Sequence, residues 1–164
     1  MLNKLQELKK TRKSGESGFT IIEVMIVLAI AGLILLIVLL AIPALQRNSR
    51  NTQIKNDAAN VIGGVSTFAS DNDGATPTNI AVNPVGSGTV VISRGTLTTN
   101  INIQKGTVIN PTLAATAAAP TTVAAGTLTP WVGHACATAT VSRSVSIYYS
   151  VETTSGNSLK CVSS

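Results

Sequence analysis

The chain has 164 residues, a formal charge of +5 at pH 7, and 45% hydrophobic, 12% charged and 3% aromatic residues. Its length suits one domain with or without an extension, and so low a charged share argues against an acidic disordered chain, a coiled-coil rod and a basic nucleic-acid binder. One His and few carboxylates leave little for a metal site or an acid/base pair, and two Cys permit one bridge but no zinc site of four thiolates.

Charge is distributed unevenly along the chain. Lys4, Lys9, Lys10, Arg12 and Lys13 precede Gly18, with only Glu7 and Glu16 against them. No charged residue occurs from Val24 to Leu45, a stretch of roughly 33 Å as a helix, which spans the hydrocarbon core of a bilayer. A cleaved secretory signal is shorter and ends in a small-x-small site; here Leu39 and Ile42 fill the positions that would need small residues. The basic leader sets a cytoplasmic N-terminus, a bias that Arg47, Arg50 and Lys55 weaken without reversing. An uncleaved single-pass anchor carrying an outside binding module is one reading of this pattern.

The boundary itself reads Gly18-Phe19-Thr20-Ile21-Ile22-Glu23-Val24: a basic leader ending in Gly, an aromatic residue, and one carboxylate inside the start of the apolar run. This segment resembles the prepilin signature of type IV pilins and pseudopilins. The resemblance implies cleavage after Gly18 by prepilin peptidase and N-methylation of Phe19. It also implies storage in the cytoplasmic membrane and homopolymerisation through the helix, served by an assembly platform and its ATPase. The physics of Glu23 points the same way. A carboxylate at the centre of a transmembrane helix costs about 2.5 to 3.5 kcal/mol, less near an end, and no basic side chain lies within the span. Cutting after Gly18 would create an amine on Phe19 about 6 Å along the axis, and a neighbouring helix shifted by one turn could set its own amine on this carboxylate. In a plain anchor, Glu23 would instead snorkel to water.

From Ile21 to Leu45 apolar residues occur all round the helix, so every side needs cover from lipid or protein. Gly32 and Pro43 interrupt the run. In pilins a Gly in this region marks where the helix loosens on assembly, and Pro43 lies later than the family's usual Pro. The helix then turns amphipathic: Leu45, Ile54, Ala58, Val61, Ile62, Val65 and Phe68 recur at helical spacing, with Arg47, Arg50, Lys55 and Asp57 between them. The basic group is expected to be a solvated or subunit-facing stripe. Gly63-Gly64 is expected to weaken or bend the helix, which should end by Ser70 because Asp71-Asn72-Asp73-Gly74 and Pro77 form turns. That acidic turn lacks the spaced ligands of a calcium loop.

Beyond it, Thr89–Ile92, Ile101–Ile103 and above all residues 139–151 alternate as strands, with Ala139, Val141, Val145, Ile147, Tyr149 and Val151 on one face. Ser155-Gly156-Asn157 reads as a hairpin turn returning through Cys161. Cys136 and Cys161 flank this hairpin at offsets that let them meet, and a closed loop of that size would contribute about 3 to 4 kcal/mol. Free thiols are the alternative, and a C-terminal disulfide is also what the resemblance implies. Residues 111–130 are a low-complexity Ala/Thr/Pro tract that could carry sugars. His134 has no second ligand beside it, Trp131 reads as packing, and no nucleophile, phosphate-loop or dinucleotide motif is present, so neither an enzyme nor a cofactor is expected.

The expected fold is α+β and pilin-like, one long helix against a small antiparallel sheet. Residues 1–18 would be the leader, 19–45 the membrane and filament-core half of the helix, 46–70 its amphipathic half and 71–164 the head. The functional expectation is a pilus subunit for adhesion, twitching motility or DNA uptake, first in the membrane and then in an extracellular filament, with any surface receptor or DNA contact left open. A pseudopilin of a secretion or competence machine is the nearest alternative.

Overall fold

The computed structural model describes residues 18–84, 86–136 and 143–164. Apart from Gly18, the basic leader lies outside the described residues. Among the described residues one helix, α1 (Ile21–Asp71), precedes seven strands: β1 (Asn79–Val82), β2 (Thr89–Arg94), β3 (Leu97–Asn102), β4 (Val108–Ile109), β5 (Thr127–Val132), β6 (Val145–Thr153) and β7 (Gly156–Ser163). The chain divides into two compact units, one ending at Pro43 and one spanning Ala44–Ser164.

In the first unit every described residue is exposed. The apolar run is long and apolar enough to cross a membrane, and none of it is buried against the rest of the chain.

The second unit is a helix layer on two sheets. Strands β1-β2-β3 form an antiparallel meander, and β4-β5-β6-β7 form a mixed sheet in which β4 and β5 run parallel. The helix buries Ile54, Ala58, Val61, Val65 and Phe68, spaced four and three residues apart, against Ile80, Val90 and Ile92 of one sheet and Leu128, Val145, Ile147 and Val151 of the other. The single expected antiparallel sheet is therefore two sheets sharing one helix. After Asp71, Gly74 N–H bonds the Ala69 carbonyl at 2.7 Å and Asp73 adopts φ +52°, a left-handed cap that stops the helix one residue later than expected.

The helix is unbroken at Gly63-Gly64, and the two glycines differ in use. A Cβ on Gly64 would lie 2.7 Å from Ile101 Cγ2 and 2.8 Å from Ile92 Cδ1, whereas one on Gly63 would meet nothing within 4 Å. Gly64 thus lets the helix touch the first sheet, and Gly63 only weakens the helix. Gly64→Val is expected to destabilise the head by about 1 to 3 kcal/mol through overpacking, and Gly63→Ala to stabilise it by up to about 1 kcal/mol. Urea midpoints of the two variants moving in the same direction would refute this assignment.

The strand expected over 139–151 begins later. Residues 139–142 lie outside the described residues, Arg143 and Ser144 precede the strand, and β6 runs Val145–Thr153. Its turn is Thr154-Ser155, because Thr153 pairs with Gly156 and Gly156 already opens β7 with φ +126°. Both faces of β6 are covered. Val145, Ile147 and Val151 meet the helix side, while Tyr148 packs with Trp131 and Val123 beneath the Ala/Thr/Pro tract. That tract also ends in β5, which carries Pro130 opposite Ile147. Cys136 and Cys161 are disulfide-bonded, with Cα atoms 5.8 Å apart, so the bridge ties the segment after β5 to the outer strand β7. His134 is buried, stacked on Trp131 at 3.8 Å between centroids, with Nε2 2.7 Å from the Ala115 carbonyl.

Candidate processing and assembly site

Gly18, Phe19 and Thr20 are non-helical and exposed, and α1 opens immediately after them. Four amides at a helix start have no partner within the helix, so a side-chain acceptor there is stabilising. Thr20 supplies it. Its hydroxyl oxygen accepts from the Glu23 N–H at 3.3 Å and its O–H donates to Glu23 Oε2 at 3.4 Å, while its carbonyl accepts from Glu23 and Val24. Thr-x-x-Glu before an apolar run is a capping-box pattern, a signal in the sequence that the charge argument for Glu23 did not use. The box draws the Glu23 carboxylate back toward the positive end of the helix dipole. Phe19, Val24, Val27 and Leu28 form a shallow apolar surround for it. Phe19 is 84% exposed, so the peptide bond before it lies open at the head of the helix.

Residues 13–39 match the family described as the prokaryotic N-terminal methylation motif. The chain carries an N-terminal methylation motif. The match ends inside the apolar run, and it covers Gly18, Phe19 and Glu23 together. No curated protein and no solved structure matched the chain. The matched residues run from before Gly18 into an exposed helix that is long and apolar enough to cross a membrane.

In the head of this prepilin-like chain a second group of polar residues joins helix to sheet. Arg50 holds Glu152 through two bonds, Nε to Oε1 at 2.8 Å and Nη2 to Oε2 at 2.7 Å. The Asn51 carboxamide pairs with the Glu152 backbone in both directions, at 2.8 and 2.7 Å. Arg50 is therefore partly used inside the subunit, and the basic stripe read from the sequence is shorter than expected. Glu152 and Asn51 were not legible as partners, since about a hundred residues separate them. Asp57, which the sequence placed between the apolar positions of the helix, is 1% exposed; its carboxylate accepts from the Gln104 N–H at 3.0 Å and from the Thr107 hydroxyl. A buried carboxylate with two donors is a structural anchor for the loop after β3.

The hydrogen bonds from Arg50 hold the Glu152 carboxyl below its ordinary value, with the charges of Arg50 and Arg47 adding to the effect. A lowered carboxylate pKa contributes stability that is present above the ordinary carboxylate range and is lost as pH falls through the lowered value. The pair is solvent-screened, so the effect is small. The stability difference between the native chain and Glu152→Gln is expected to shrink as pH drops from 7 toward 2. A difference that stays constant over that range would mean the charge of Glu152 contributes nothing.

Proposed function

We propose that this chain is a prepilin: a structural subunit cut after Gly18, N-methylated on Phe19, held in the cytoplasmic membrane with its head outside, and polymerised through α1 into a filament. The observation that carries the reading is the methylation motif ending in a capped helix, which keeps Glu23 one turn from the nitrogen that cleavage would free. Once freed, that nitrogen is a cation at the same helix end, and an axially shifted neighbour can present its own to Glu23 in low dielectric. Copy number then turns weak contacts into a durable polymer. The bridge between Cys136 and Cys161 suits a head working in an oxidising compartment outside the cytoplasm. Adhesion, twitching motility and DNA uptake are the roles open to such a filament.

The test is the intact mass and N-terminal sequence of the protein sheared from cell surfaces. The expected species begins at Phe19, carries one methyl group and lacks two hydrogens for the disulfide. A chain beginning at Met1 and confined to membranes would replace this reading with a plain anchored module.

A further inference from the structure

A cavity of about 250 Å³ opens in the head between the first turns of its helix segment and two loops, Lys105–Thr107 and Ala125–Gly126. Ser150 lines it. That side chain is only 4% exposed, yet its hydroxyl has no hydrogen-bond partner among the described residues. An unpartnered buried hydroxyl is destabilising unless something fills the space before it.

The charges around the cavity state what would fill it. Arg50 commits Nε and Nη2 to Glu152 and retains Nη1, and Lys105 forms no ion pair among the described residues. Arg50 and Lys105 line the cavity with one carboxylate, Glu152, so its lining is net positive and attracts an anion. Gly106 and Gly126 leave the backbone bare on the loop side, with open space where a Cβ would stand. Ile54 and Ala125 supply apolar wall, which a fully hydrated inorganic ion does not need.

We propose that this cavity binds the phosphate of an anionic phospholipid headgroup, with Lys105 and the free edge of Arg50 as the charged donors and Ser150 as the buried one. The lipid would then seat the head on the membrane before the subunit leaves it. The proposal rests on the membrane-anchored reading of the chain, but it does not depend on cleavage or polymerisation.

The test uses the full chain in neutral detergent micelles, followed by the amide resonances of Gly106, Gly126 and Ser150. Short-chain phosphatidylglycerol is expected to shift them saturably, at concentrations at least tenfold lower than inorganic phosphate requires. Equal affinity for the two would assign the site to free phosphate and overturn the lipid assignment. No shift with either would overturn the site. Lys105→Ala and Ser150→Ala are each expected to weaken the lipid fivefold or more. Ser150→Ala should do so without lowering the unfolding midpoint of the lipid-free chain, because its hydroxyl has no partner there. A Ser150→Ala chain that binds like the native one overturns the proposal, and Lys105→Ala, at an exposed position, supplies the same decision should that variant not fold. Because the readout comes from the monomer in micelles, its failure leaves the filament reading standing, and loss of filament leaves this one standing.

Discussion

A Glu23→Gln chain is expected to insert and be cut like the native protein while yielding about tenfold less filament or worse, the scale of removing one partner from a desolvated charge pair. Gln preserves the shape of the side chain and the Thr20 capping contact to the Glu23 amide, so helix entry is unchanged. Only the charge is lost. Glu23→Ala removes the charge and the contact with the Thr20 hydroxyl together, and should also fray the first turn. Comparing the two separates capping from assembly: equal loss in both assigns the effect to charge, whereas loss in Ala alone assigns it to the cap. Native filament yield from Glu23→Gln would refute the role given to the carboxylate.

The second large effect is expected in the head. Asp57→Ala strands the Gln104 N–H and the Thr107 hydroxyl beside a fully buried position, and should cost about 2 to 4 kcal/mol. Asp57→Asn keeps one acceptor oxygen and should lose about half as much. Urea unfolding of the full chain in micelles measures both, and losses below about 0.5 kcal/mol in each would mean the loop after β3 holds itself. Because Lys105 and Gly106 sit in the same loop, Asp57 also fixes one wall of the Ser150 cavity.

The helix was readable from the sequence because its signals are local and agree: a long uncharged apolar run, apolar spacing of three and four, and a turn cluster at its end. The sheets were readable only where alternation was strong. Strands β2 and β6 show it, while β1 is too short and β5 hides in a tract of Thr, Ala and Pro, with Pro130 arguing against any strand. Pro130 is tolerated because the parallel neighbour there is a single bridge at Leu113, whose N–H donates to the Pro130 carbonyl and whose own carbonyl takes its donor from Val132. At the candidate site, Gly18, Phe19 and Glu23 all fall inside the matched methylation motif, which is continuous in sequence. The Arg50, Asn51 and Glu152 group was not legible, since helical phase says which face a residue occupies and nothing about a strand end a hundred residues on. Asp57 misled for a related reason: a charge at an inward phase reads as an exception to the apolar stripe until its donors are known.

The pairing of Asn51 with Glu152 has a mechanical meaning. On the side facing β5, strand β6 loses its neighbour after Tyr149, and the Asn51 carboxamide takes up the bare Glu152 backbone as another strand would. Arg50 grips the side chain of the same residue. Force drawn along α1 from Ala44 therefore reaches the sheets through four hydrogen bonds at one point, loaded side by side, before it strains the apolar contacts from Ile54 onward. Bonds sharing a load in parallel yield together and not one by one, so this segment of the helix is anchored to the sheets where a pull along it would arrive first.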